Sequence, residues 1–224
     1  MTVNALMAKA QDVWQRQGVL VLLWKTLRFV PLRFKLYVCL PVARLLGIPT
    51  PLKLLDRKVL EQDIFGWLAA KPDVKRVLFA GIESYTWHYY RFFPKQDFQT
   101  IDFVPKQAFW GRKGFHTVGS VTELDKHYPN ARFDAVVYNG IIGWGLNAKA
   151  DVDMALRQAH AVLAKGGILV IGWDNEPRFI DFPLEELEGY KLFRPLVPEE
   201  PGLESHRYEA SPLRHHTYDF LIKE

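Results

Sequence analysis

Gly81 ends the apolar run of residues 77–80, and Asp102 follows it by 21 positions at the end of "TID". Glycine at the end of such a run lets a ligand approach the backbone. An acid about 20 positions further on, closing the next run, accepts hydrogen bonds from ribose hydroxyls. The spacing predicts a nucleoside-bearing ligand across the two run ends, with Asp102 on its ribose. The competing use of Asp102 is to cap the turn before Pro105. The turn itself, "GIESYT", is unusual, because it goes on with Ile82, Glu83, Ser84 and Tyr85 where a ligand-cradling turn supplies more glycine. Without G-x-G-x-x-G at this turn, a dinucleotide is disfavoured. Ser84 or Thr86 is placed to cap a following helix, whose free N–H groups would favour a carboxylate.

Two further loops carry polar side chains behind apolar runs. Residues 138–147, "YNGIIGWGLN", combine Gly140, Gly143 and Gly145 with Asn139, Asn147 and Trp144. Small residues allow close approach and amides orient a ligand, while Trp144 is either a wall or a plug over the core. Residues 172–177, "GWDNEP", place Asp174 and Asn175 where they would hold or deprotonate an acceptor, or cap the next segment. The candidates for chemistry are therefore Asn139, Trp144, Asp174, Asn175 and, by side-chain type alone, His88. Neither a P-loop nor a G-x-S-x-G elbow is present. No histidine and cysteine set has metal-ligand spacing, and the adjacent His215 and His216 point to opposite faces of a strand. No metal is expected. Cys39 is the only cysteine, which excludes a disulfide within the chain and suits a reducing, cytoplasmic compartment.

The elements that must position these residues begin near Lys75. From there "KRVLFAG", "FQTIDFV", "FDAVVYNG", "GGILVIGWD", "YKLFRPL" and "TYDFLIK" read as strands, with "TWHYYRFF" and "KADVDMALRQAHAVLA" as helices between them. Runs apolar on both faces fit a parallel sheet covered by helices on each side. The expected fold is α/β: a Rossmann-like, doubly wound, seven-stranded and mostly parallel sheet with an antiparallel edge hairpin, preceded by an N-terminal helical extension. The expected division is 1–66 for the extension and 67–224 for the α/β domain.

"RVLFAGIESYT", "TIDFVP", "FDAVVYNG" and "LAKGGILVIGW", in this order and spacing, resemble the class I S-adenosylmethionine-dependent methyltransferases over about residues 75–222. The resemblance implies S-adenosylmethionine as cofactor. It places Gly81 in the turn at the methionine end, Asp102 on the ribose, Ser120 and Val121 at the adenine edge, and Tyr138, Asn139 and Gly140 beside the sulfonium. It also implies methyl transfer to an oxygen or nitrogen of a small or lipid-linked acceptor. The family's glycine pattern is broken after Gly81: Glu83 and Tyr85 replace glycines, with Ser84 between them. Glu83 there either pairs with the methionine ammonium or faces solvent in a compromised pocket. The alternative is a non-catalytic methyltransferase-like binding or scaffolding module.

The net charge of +4 is unevenly spread: residues 1–58 hold ten basic against two acidic side chains, so the remainder is net acidic. Nucleic acid is therefore not an expected partner of the α/β part. Residues 19–46 mix basic with apolar side chains and either dock on an anionic membrane surface or pack on the domain as a lid. No apolar run approaches the roughly 20 residues of a membrane span.

Overall fold

A computed structural model of the protein describes residues 34, 38–213 and 215–224. Its contacts divide the chain into two compact units, Met1–Thr50 and Pro51–Glu224. In the first, helix α1 (Leu40–Leu45) starts on Pro41, whose missing N–H costs nothing in a first turn. The first half of the expected N-terminal helical extension, with most of residues 19–46, lies outside the described residues.

The second unit opens with a continuous helical run made of α2 (Leu55–Lys58), a π-helical stretch (Val59–Ile64) and α3 (Phe65–Ala70). Leu60, Ile64, Phe65, Trp67 and Leu68 are buried along it. It stops at Lys71, which is extended as a residue preceding proline prefers. Then follow β1 (Arg76–Ala80), β2 (Asp97–Asp102), β3 (His116–Val118), α4 (Leu124–His127), β4 (Phe133–Asn139), α5 (Lys149–Val162), β5 (Leu163–Asp174), β6 (Arg194–Pro195), β7 (Arg207–Ser211) and β8 (His216–Ile222).

The strands form one sheet in the order β3-β2-β1-β4-β5-β8-β6, with β7 also on β8. β1 to β5 are mutually parallel, and β8 runs antiparallel along β5 from Ile168 opposite Ile222 to Asp174 opposite His216. The sheet is Rossmann-like and doubly wound. It has eight strands rather than seven, because β3 is only three residues long and β7 is half-polar, so neither leaves an apolar run. The antiparallel pairing expected between residues 190–196 and 217–223 is that of β6 with β8, and β7 adds a second antiparallel neighbour to β8.

Alternation assigns side chains to two cores. Leu78, Ala80, Val136, Tyr138, Leu169 and Ile171 face α5, which buries Val152, Ala155, Leu156, Ala159 and Val162 at helical spacing. Val77, Phe79, Ala135, Val137, Val170, Tyr218 and Phe220 face the helical run of residues 55–70. On that second side Phe65 meets Phe79, Tyr89 and Phe93 edge-on, at ring separations of 6.1, 5.1 and 5.1 Å.

The helix expected over "TWHYYRFF" does not form. Turns lead through His88 to one 3₁₀ turn, Tyr89–Phe92, before Pro94. The Thr86 hydroxyl accepts from the Glu83 N–H at 2.9 Å and donates to the Glu83 carbonyl at 3.0 Å, closing a local turn that competes with helix. Tyr89 and Phe93 then turn their rings into the second core.

Candidate functional site

The strand order reverses between β1 and β4, and ligands of such sheets bind beyond the carboxyl ends of the strands at that point. A cavity of about 400 Å³ lies there. Gly81 lies at its floor with φ +99°, and a Cβ at this position would stand 2.2 Å from the Asn139 carbonyl oxygen, so β1 and β4 can converge only on glycine.

Asp102, the last residue of β2, accepts from the Ile82 N–H at 3.0 Å through Oδ2 and from the Val104 N–H at 2.8 Å through Oδ1. The carboxylate thus pins the turn after β1, and each oxygen keeps lone-pair capacity for a ligand hydroxyl. Ser120 caps a 3₁₀ turn, Val121–Glu123, by accepting from the Thr122 N–H at 3.1 Å. Ser120 and Val121 line the cavity on the β3 side.

Glu83, Asp102 and Asp151 line this cavity, and no basic side chain does so among the described residues. Glu83 is exposed as a residue, but its carboxyl turns inward and accepts from the Gln107 amide at 2.8 Å. Desolvation against the cavity wall, with the Asp102 charge adding to it, raises its pKa above the usual carboxylate range. A cavity walled by acids favours a cation.

Asn139, the last residue of β4, is 1% exposed, and neither its amide nitrogen nor its amide oxygen has a partner among the described residues. Its register partner is Gly172 on β5, where a Cβ would lie 2.2 Å from the Asn139 side-chain oxygen. Leaving such a group unsatisfied costs about 1–3 kcal/mol. A ligand with both donors and acceptors would recover it.

A second cavity of about 380 Å³ shares Glu83, Tyr85, Gly140 and Trp144 with the first and adds Asp56, Arg57, Asp174 and His216. Arg57 is buried on α2, 3.4 Å from Asp56, with its guanidinium 5.1 Å from the Tyr85 ring centre. Its Nη1 has no partner among the described residues. Burial works against its charge, but Tyr85, Tyr89, Tyr218 and Asp56 outweigh it and raise its pKa, so Arg57 stays a cation. Asp174 holds His216 Nδ1 at 2.6 Å through one oxygen and accepts from Trp144 Nε1 at 3.0 Å through the other.

Of the residues singled out in the sequence, Gly81, Glu83, Tyr85, Asp102, Ser120, Val121, Asn139, Gly140 and Trp144 surround the first cavity, and Asp174 the second. Four stand elsewhere. Tyr138 alternates to the opposite face of β4, where it is fully buried and donates to the Ala155 carbonyl at 3.1 Å. Ser84 lines neither cavity and caps no helix, since none follows. His88 packs against Tyr89 and Phe92, and burial, followed by the Arg91 charge, lowers its pKa to about 4. Asn175 donates its backbone N–H to His215 in the turn beyond β5. Arg57, Gln107, Asp151 and His216 carried no sequence signal of their own. For His216 the available clue was its register against Asp174, legible only once β8 is known to pair with β5.

Among the described residues no group of three or more histidine, cysteine and acidic side chains could hold a metal ion. No protein-family model and no curated protein matches the sequence. Among solved structures the fold is similar to the N-methyltransferase NodS from Bradyrhizobium japonicum WM9, with TM-score 0.57, 12% identity, and coverage of 75% of this chain and 96% of that one. The complex of NodS with S-adenosyl-L-homocysteine gives TM-score 0.55 and 12% identity, over 75% of this chain and 92% of that one. TrmN from Thermus thermophilus gives 0.51 and 19% identity, over 74% of this chain and 48% of that one. Five parallel strands reversing between β1 and β4, closed by the antiparallel β8, give this chain the fold of the class I S-adenosylmethionine-dependent methyltransferases.

Proposed function

We propose that the protein is an S-adenosylmethionine-dependent methyltransferase that acts on an oxygen or nitrogen of a small acceptor. The observation that carries this reading is the acid-walled cavity at the switch point. It brings the Gly81 close approach, the Asp102 carboxylate and the unpartnered Asn139 amide around one space. The cofactor supplies an electrophilic methyl on a sulfonium when bound. Asp102 would accept its ribose hydroxyls, Ser120 and Val121 would border its base, and the acids Glu83 and Asp151 would favour its positive charge. The amides of the turn after β1 bond within the protein: Ile82 N–H to Asp102 and Glu83 N–H to Thr86. Arg57, buried beside Tyr85 with Nη1 unpartnered among the described residues, is the better placed group for the methionine carboxylate. Methyl transfer then needs chiefly the in-line positioning of two reactants in a dry space.

Calorimetric titration of the folded protein with S-adenosylmethionine and S-adenosylhomocysteine tests this; absence of binding by both refutes it in favour of a non-catalytic module. A lipid-linked acceptor is the second reading, favoured by the exposed Val42, Leu45, Leu46 and Ile48 around Arg44. No helix among the described residues is long and apolar enough to cross a membrane, so docking would be peripheral. Co-sedimentation with anionic liposomes at low salt checks it, and no pelleting excludes it.

A further inference from the structure

We propose that His216, oriented by Asp174, is the general base of the second cavity, and that the acceptor is an aromatic hydroxyl compound; this rests on the methyltransferase reading above. Asp174 ends β5 and His216 begins β8, directly opposite each other in the antiparallel ladder. Both are buried, at 4% and 5% exposure, yet both line the second cavity. Asp174 Oδ1 stands 2.6 Å from His216 Nδ1. A carboxylate at Nδ1 holds the proton there and leaves the lone pair on Nε2. That Nε2 is buried and has no partner among the described residues. The Tyr218 ring lies edge-on to the imidazole at 5.0 Å and fixes its plane. Asp174 also holds the Trp144 indole, which packs against Phe179 with ring centres 5.0 Å apart and planes tilted by 33°, so one carboxylate orients both the base and a wall of the cavity.

The other walls select the acceptor. Leu52, Leu54, Tyr85 and Trp144 offer apolar and aromatic surface for a flat ring. The charged groups that line the cavity together with His216 are Asp56, Arg57, Glu83 and Asp174. A carboxylate acceptor is already ionised and needs no base; an alkylammonium would also have to lose a proton, but the flat apolar and aromatic walls suit a ring-borne hydroxyl better than an aliphatic cation. A hydroxyl has to lose its proton during attack, which a positioned base assists by about 10²–10⁴-fold. In the step, the acceptor oxygen forms a bond to the methyl carbon as the carbon–sulfur bond breaks. That electron pair stays on sulfur as a thioether, and the hydroxyl proton passes to His216 Nε2 and on to solvent when product leaves.

The test uses the full chain with S-adenosylhomocysteine and para-nitrophenol, whose anion absorbs in the visible and so reports its own ionisation. Calorimetry first measures S-adenosylhomocysteine binding to wild type, His216→Gln and Asp174→Asn. Each protein is then saturated at its own measured affinity, because Arg57 and Trp144, which share the second cavity with His216 and Asp174, border the cofactor in the reading above. Para-nitrophenol is then titrated into each complex below its own ionisation pH. Wild type is expected to raise the phenolate absorbance, and both variants are expected to lose that rise. If wild type binds S-adenosylhomocysteine but shows no phenolate, or if His216→Gln shows the same rise, the proposal is overturned while the methyltransferase reading stands. If wild type binds no S-adenosylhomocysteine, both fall together.

Discussion

Substituting Gly81 by alanine probes the point on which the first cavity depends. The backbone there has φ +99°, and the added Cβ would meet the Asn139 carbonyl oxygen at 2.2 Å and Ile141 Cγ2 at 3.0 Å. The nearer obstacle is backbone of a central strand, which cannot swing aside as a flexible side chain can. A left-handed backbone costs an L-residue about 1–2 kcal/mol. Forcing extra volume into packed surroundings adds about 1–3 kcal/mol, so Gly81→Ala should lose about 2–5 kcal/mol in all. Gly166 separates the two contributions: its φ is +76°, but nothing lies within 4 Å of a Cβ there. Gly166→Ala should therefore lose only the backbone share, about 1–2 kcal/mol. Urea unfolding of both variants against wild type, with unchanged m-values, measures the difference directly. Domains of this kind hold about 5–15 kcal/mol, so both variants should fold at room temperature. The relief that keeps Gly81→Ala folded must part β1 from β4, and S-adenosylhomocysteine affinity should drop with it. Equal destabilisation of the two variants would refute the close-approach argument.

Three further outcomes follow from the geometry. Asp102→Ala strands the Ile82 and Val104 N–H groups and removes the acceptor proposed for ribose hydroxyls. It should weaken S-adenosylhomocysteine binding by about 5- to 150-fold, the worth of about 1–3 kcal/mol; unchanged calorimetric affinity rejects that role. Asp219, 0% exposed, holds Arg207 with two contacts of 2.7 Å and accepts from the Tyr190 hydroxyl at 3.2 Å. Because Arg207 is partly exposed and keeps Glu185 at 3.2 Å, Asp219→Asn should lower the unfolding free energy from urea titration by about 1–3 kcal/mol, below the roughly 3–5 of a wholly buried pair; no change counts against the pair. His88, depressed by burial and Arg91 from 6.5 to about 4, binds its proton more weakly when folded than when unfolded. Its contribution is complete above about pH 6.5 and is lost as the pH falls toward 4. His88→Phe should flatten stability between those values in a pH series of thermal melts, and an unchanged slope contradicts the assignment.

The strands were legible where apolar runs end in chemistry-bearing residues, as in residues 77–81, 98–102, 133–139 and 167–174. β3 and β7 were not, being short or half-polar. Aromatic density in "TWHYYRFF" suggested a helix because ring spacing alone does not distinguish a helix from a 3₁₀ turn whose rings fill a core. Tyr138 was misplaced by motif position, although strand alternation beside the inward Val137 and Asn139 puts it on the other face.

By itself the sequence determined the α/β class and the Gly81 and Asp102 pair, together with the unusual Glu83 and Tyr85 between them, because these are local: strand period, a turn residue, and one strand-to-strand offset. Tertiary structure alone decided the second cavity. Arg57 comes from a helix preceding β1, and Asp174 meets His216 across 42 positions of chain. Antiparallel register sets that pair, and register is a property of two strands already folded together, which neither segment carries alone.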